Sequence, residues 1–213
     1  MQSDDFLDEL RRLRAVAILR TDRKEAAGPA MEAAVRGGFR ALEFTLNTPG
    51  ALERIAEFAA RDGLLVGAGT VLTTAQARDA VAAGACFLVS PVADPEVIDT
   101  ARELGVAAIP GCATPSEMLR AHRAGAPLVK LFPGPPDTPT YVRQILGPLP
   151  FLRIVPTSGV DGNNAAATLE AGAWAVGFVS CLFDAQDLAA DRFDRVEARA
   201  RDLLAATAAA KIE

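Results

Sequence analysis

Eight short runs of apolar and β-branched residues, separated by stretches of helical spacing, predict an α/β fold: a (β/α)8 TIM barrel with an N-terminal capping helix. The runs are AVAILR (15–20), ALEFTL (41–46), LLVGAGT (64–70), CFLVSP (86–91), AAIPGC (107–112), LVKLFP (128–133), RIVPTSG (153–159) and AVGFVS (175–180). Their starts lie about 20–26 residues apart, which leaves room for one helix between each pair. A second observation is Ala-Gly-Ala at 83–85, 124–126 and 171–173, a mark of an internally repeated strand–helix unit. A third is DDFLDELRRLR near the start, which predicts a helix covering the bottom of the barrel. A doubly wound open sheet is the alternative, but the count is eight and no strand leads into GxGxxG. No linker or shift in composition divides the chain, so residues 1–213 are expected to form one domain.

Each helix has its start and stop. Asp22 is placed to cap the first helix after AVAILR, and Thr48-Pro49 opens the next, since proline is tolerated in a first helical turn. Thr73 or Thr74 opens the third, Asp94-Pro95-Glu96 the fourth and Thr114-Pro115-Ser116-Glu117 the fifth. Gly37-Gly38, Gly84-Ala85, Gly125-Ala126 and Gly172-Ala173 supply the left-handed stop before a turn into a strand.

Composition narrows the function. Half the residues are apolar, and a net charge of −5 disfavours nucleic acid as a partner. No run of 18 apolar residues and no leader pattern appear, so a soluble, cytoplasmic protein with no membrane partner is expected. Cys86, Cys112 and Cys181 are odd in number and far apart, which predicts reduced, buried thiols. His122 is the only histidine, so a multi-histidine metal site cannot be built, and a solvated helix position is expected for it.

In such a barrel, active-site groups project from the carboxyl ends of the strands. Those ends carry Arg20; Glu43, Thr45 and Asn47; Thr70; Ser90-Pro91; Lys130; Thr157-Ser158-Gly159; and Ser180. Lys130 is the informative one. The chain has three lysines against nineteen arginines, and only Lys130 lies inside an apolar strand, with Leu128 and Phe132 on its face. Desolvation favours an amine's neutral form, the nucleophile toward carbonyls. The bland alternative is a lysine that reaches water or pairs with a carboxylate. Glu43 is the lone carboxylate of ALEFTL, and alternation turns Glu43, Thr45 and Asn47 inward. It is either an ion-pair partner or a proton shuttle beside a Schiff-base lysine. Thr157, Ser158, Gly159 and Ser180 are small and rich in donors, which suits an anion, although tight turns use the same residues.

LEFTLNTPGA, GAGTVL, FLVSP, IPGCATPSE, VKLFP, VPTSGV and AVGFVS follow one another in order between Ala15 and Phe183. Together they resemble the 2-dehydro-3-deoxy-6-phosphogluconate (KDPG) and 4-hydroxy-2-oxoglutarate (KHG) aldolases, with features of the 2-dehydro-3-deoxy-6-phosphogalactonate branch. The resemblance implies a class I aldolase that needs no metal and no cofactor, a small-molecule substrate split to pyruvate and an aldehyde, and a homotrimer. It implies that Lys130 forms the Schiff base and Glu43 shuttles protons. It places Thr70 at the pyruvyl carboxylate, Pro91 and Phe132 around the substrate, and Thr157, Gly159 and Ser180 at the phosphate. There are departures. Asn47 stands where many phosphogluconate enzymes have arginine, and Arg20 can take over that anion contact. Ser158 and Val179 stand where glycine is usual, so phosphate affinity is expected to fall if either needs positive φ or close approach.

Two rivals remain at this stage. A phosphosugar isomerase or epimerase would use Glu43 as base without an imine. A noncatalytic binding barrel would show no turnover. A metal-dependent aldolase is disfavoured because the strand ends lack histidine and paired carboxylates.

Overall fold

The computed structural model describes residues 3–211; the first two and last two residues of the expected domain lie outside the described residues. In chain order come α1 (Ser3–Leu13), β1 (Ala15–Leu19), α2 (Lys24–Arg36), β2 (Ala41–Thr45), α3 (Ala51–Ala59), β3 (Leu65–Gly69), α4 (Thr74–Ala82) and β4 (Phe87–Val89). There follow α5 (Pro95–Glu103), β5 (Ala107–Ile109), β6 (Gly111–Cys112), α6 (Pro115–Arg123), β7 (Val129–Leu131) and α7 (Thr138–Leu146). The chain continues with β8 (Ile154–Pro156), α8 (Ala165–Glu170), β9 (Val176–Phe178), α9 (Ala185–Ala189) and α10 (Phe193–Ala208).

The strands form two curled, all-parallel sheets, one ordered β5-β4-β3-β2-β1-β9 and the other β6-β7-β8. AAIPGC, expected as one strand, is broken into β5 and β6 at Pro110, which has no N–H to give to a ladder. The carbonyl of Pro110 still accepts from Lys130 N–H at 2.8 Å, and Trp174 N–H reaches Ile154 O at 2.8 Å between the segments leading to β9 and β8.

The apolar residues sort by alternation into two clusters. Leu42 and Phe44 of β2 join the alanine-rich face of α2 in the larger one, between sheet and helices. Ala41, Ile18, Leu65, Phe87 and Leu128 fill the concave face, together with Phe6, Leu7 and Leu10 of α1. Each fully buried leucine or phenylalanine contributes about 1.5–3 kcal/mol to burial. Phe6 stacks on Phe87 at a centroid distance of 5.0 Å. Trp174 donates its indole N–H to Leu7 O at 3.2 Å, and the Arg11 and Arg153 guanidinium groups lie 4.8 and 4.9 Å from its ring centre.

Several helix starts follow their expected chemistry. Thr73 accepts from Gln76 N–H, Asp94 from Glu96 N–H, and Thr114 and Glu117 form a reciprocal capping box. Two do not. Arg23, not Asp22, precedes α2 and makes no side-chain cap. Pro49 lies ahead of α3, because Gly50 at φ 77° makes the left-handed turn into that helix. The three thiols are free, but only Cys112 is buried, its titration pushed up to about 12 by that burial. Cys86 and Cys181 are half-buried at the ends of their runs, a correction to the buried position expected for them. His122 is exposed on α6, with its ring 4.9 Å from Phe151. No described helix is long and apolar enough to cross a membrane.

Candidate active site

Parallel strands place all their carboxyl ends on one side, so residues at or just past those ends converge whatever their distance in sequence. Arg20 follows β1, Thr70 follows β3, Phe132 follows β7, Thr157 follows β8, and Pro91 and Ser180 lie two residues beyond β4 and β9. Glu43 and Lys130 are the charged side chains within strands. Glu43 pairs in register with Ile18 and Gly67, and Lys130 with Gly111 and Val155.

Glu43 is 1% exposed and Lys130 9%. Burial pushes the Glu43 carboxyl above its ordinary range, while the nearby charges of Lys130 and Arg20 pull it back. No ion pair within hydrogen-bonding distance forms between Glu43 and Lys130, and Glu43 Oε1 is buried without a hydrogen-bond partner. A buried carboxyl oxygen with nothing to bind is costly, which is the condition of a site built for something else to fill. Lys130 Nζ lies 5.1 Å from the ring centre of Phe132.

Next to this pair, Arg20, Phe132, Thr157, Ser158, Gly159 and Ser180 line one cleft of about 410 Å³, so these six expected site residues are brought together. Thr157 is 7% exposed and its hydroxyl has no partner. Neither Ser158 nor Val179 adopts positive φ, so their side chains meet no backbone strain where the sequence departs from glycine. Pro91 shares a second cleft with Phe132 and Pro133, between α5 and α6. Thr70 sits at φ 58°, an uncommon backbone for a β-branched residue and one that rigid surroundings must hold.

Asn47 lies two residues beyond β2, which stops at Thr45, and falls in an exposed turn. It shares a separate cleft with Arg20, Arg23 and Phe183. Thr45 is occupied structurally: its hydroxyl donates to Leu19 O at 3.2 Å and pairs with Thr48 Oγ1 at 3.1 Å.

A family model described as KDPG and KHG aldolase matches residues 7–199. The chain belongs to the KDPG and KHG aldolase family. It is similar to the 2-dehydro-3-deoxy-phosphogluconate aldolase of Treponema pallidum (strain Nichols), 36% identical over 93% of this chain and 96% of that one. A solved structure described as native KDPGal superimposes with a TM-score of 0.85 at 31% identity, over 93% of this chain and 96% of the other. A KDPG aldolase from Legionella pneumophila, described with pyruvate captured at low pH as a covalent carbinolamine intermediate, matches with a TM-score of 0.80 at 28% identity, over 89% of this chain and 93% of its own. The protein is thus an aldolase, a carbon–carbon lyase of carbohydrate metabolism.

What the aldolase site can do follows from its residues. It offers one amine, one buried carboxyl with an elevated titration point, one nearby guanidinium and a set of hydroxyls. That set suits imine formation with proton transfer. Among the described residues no group of three or more His, Cys, Asp or Glu side chains is placed to hold a metal ion.

Some residues that shape the aldolase site do not stand out in the sequence. A Cβ on Gly69 would fall 1.9 Å from Glu43 Oε1, and one on Gly177 would fall 2.8 Å from Thr157 Cγ2 and 2.6 Å from Ile18 Cδ1. Both positions make room for a neighbouring strand's side chain. The signal available was a glycine inside a strand, which marks a close approach. Asp161 also lines the 410 Å³ cleft.

Proposed function

We propose that this chain is a class I aldolase in which Lys130 carries the covalent step, cleaving a 2-keto-3-deoxy sugar acid to pyruvate and an aldehyde. 2-Dehydro-3-deoxy-6-phosphogluconate, giving glyceraldehyde 3-phosphate, is the substrate its relatives' names indicate, and KHG and the phosphogalactonate are its family alternatives. The observation that carries this reading is the pair of buried ionisable side chains, Glu43 and Lys130, close enough for the lysine's charge to act on the carboxyl. The covalent pyruvate adduct described for the Legionella relative supports it.

The steps use these residues alone. Neutral Lys130 Nζ adds to the keto carbon, and the carbinolamine loses water to become a protonated imine. Glu43 relays the protons of that exchange, then accepts the proton of the C4 hydroxyl. The C3–C4 bond breaks, its electron pair moves toward the imine nitrogen, and the aldehyde departs. Protonation of the resulting enamine at C3 and hydrolysis free pyruvate and Lys130. No metal or organic cofactor is needed. Arg20 and Thr70 are assigned to the pyruvyl carboxylate, with Asn47 at the neighbouring rim. Pro91 and Phe132 pack the substrate, and Thr157, Ser158, Gly159 and Ser180 receive the aldehyde-derived end.

The same reading closes the two sheets into one eight-strand barrel, with β5 and β6 as a single strand and α1 as the cap. The Lys130–Pro110 and Trp174–Ile154 backbone bonds and the place of Phe6 in the concave cluster support that closure. It also holds residues 1–213 as one domain, acting in the cytoplasm on a small-molecule substrate. Lys130→Met is expected to abolish turnover while circular dichroism stays unchanged; full activity in that variant contradicts the mechanism. An isomerase or a binding barrel would form no imine, so the two rivals share one discriminating measurement.

A further inference from the structure

Arg20 lines two neighbouring clefts, one with Phe132, Thr157 and Ser180 and one with Asn47, Arg23 and Phe183. Its charge also reaches the Glu43 carboxyl. Yet the side chain is exposed and, among the described residues, its guanidinium makes no hydrogen bond or ion pair. The backbone that carries it, one residue past β1, therefore decides which space that charge can reach.

That backbone is held from both sides by two threonines at the end of β2 and in the turn after it. Thr45 and Thr48 are 2% and 1% exposed, so their hydroxyls need partners inside the protein. The Thr45 hydroxyl lies 3.2 Å from Leu19 O and 3.1 Å from Thr48 Oγ1, and Thr21 N–H donates to Thr48 Oγ1 at 3.2 Å. Each hydroxyl has a single proton, which fixes the direction of the chain. A carbonyl only accepts, so Thr45 gives its proton to Leu19 O, and Thr48 must give its own to Thr45. The chain runs from Thr21 N–H through Thr48 and Thr45 to Leu19 O, with every donor used once. It begins at the peptide group after Arg20 and ends at the one before it, so it clasps that single residue. Hydrogen bonds aligned head to tail in this way polarise and strengthen one another. Thr48 is fixed in turn by its own N–H, which reaches Thr45 O at 2.8 Å.

We propose that Thr48, acting with Thr45, is a positioning residue that holds the Arg20 backbone so that the guanidinium meets the substrate's carboxylate. The inference rests on the aldolase reading but fails separately from it. The test is a double-mutant cycle on kcat/KM for 2-dehydro-3-deoxy-6-phosphogluconate, with Thr48→Val, Arg20→Gln and the two combined. Thr48→Val alone is expected to lower kcat/KM about tenfold, mostly through KM. Once Arg20 is gone, the same change is expected to cost less than about twofold. Thr48→Ser keeps the hydroxyl and is expected to stay within about twofold of the wild type. An equal loss in both backgrounds, no loss in either, or a loss in Thr48→Ser as large as in Thr48→Val overturns the proposal. If Thr48→Val does not fold, Thr45→Val breaks the same chain at its other link and takes its place in the cycle. If neither folds, amide exchange at Thr21 in the wild type decides: protection supports the clasp, and exchange at the rate of a free peptide overturns it. Trapping pyruvate on Lys130 with borohydride separates the causes. An adduct with equal losses in the two backgrounds sinks only this inference, whereas no adduct sinks the aldolase mechanism beneath it.

Discussion

Glu43 concentrates the tension of the site in one side chain. Its carboxyl is held above the ordinary 4.5 by burial, against the pull of Lys130 and Arg20. Below a pH of about 4.5 it is protonated in both the folded and the unfolded chain and costs nothing. Above that, the unfolded chain releases the proton first, so stability falls as pH rises until the folded carboxyl also ionises. Glu43→Gln is therefore expected to raise the Tm at pH 8, with the difference gone at pH 4, and to cut kcat by about 10²–10⁴. Scanning calorimetry at both pH values and a steady-state assay check the two halves. A lower Tm at pH 8 contradicts the burial argument, and an undiminished rate contradicts the proton shuttle. Lys130 and Glu43 were legible in the sequence because a charge inside an apolar run is too costly to be accidental. Asn47 was named from the sequence, but period-2 alternation placed it in a strand that in fact ends at Thr45, two residues before it. Asp161, which lines a cleft, was not legible, because an aspartate in a turn is ordinary.

Among the elements, β3 shows how a strand shapes a site by what it lacks. Gly69 leaves the space that Glu43 Oε1 occupies, and Gly67 leaves room for the Phe87 ring, to which an added Cβ would come within 2.4 Å. Gly69→Ala must displace the carboxyl or bend the strand. The expected cost is about 1–3 kcal/mol of stability from overpacking, with kcat reduced by about a hundredfold through misplacement of Glu43. Chemical denaturation and turnover measured together test this; a Gly69→Ala protein with wild-type rate shows that Glu43 does not need its present position. The strand LLVGAGT was readable as a strand from its pattern, but the service of its glycines was not, since it depends on the neighbouring strand. The helix starts show the same boundary. Thr73, Asp94 and Thr114 cap as local chemistry dictates, whereas α2 and α3 begin where tertiary packing and the Gly50 turn put them.

For the whole molecule, eight apolar runs at even spacing made the α/β order readable, because each strand–helix unit buries the same kind of face. The break at Pro110 was visible only as a residue and not as a consequence. Assembly is a further matter of surface. Leu52, Leu72 and Val92, which follow β2, β3 and β4, are 37%, 47% and 54% exposed and sit on the rim that holds the site. The homotrimer that the family resemblance implies predicts that sedimentation gives three times the 22.3 kDa chain mass, with this rim as the surface to test. Leu72→Arg together with Val92→Arg should lower that mass. A wild type that sediments as a monomer contradicts the trimer but leaves the chemistry of each chain untouched.

The central claim is that Lys130 forms an imine with a keto acid. Incubating the folded protein with pyruvate and borohydride, then measuring intact mass and mapping peptides, tests it most directly. The account predicts one reduced pyruvyl adduct per chain, on Lys130 and absent from Lys130→Met. An unmodified chain, or an adduct carried by Lys24 or Lys211 instead, contradicts it.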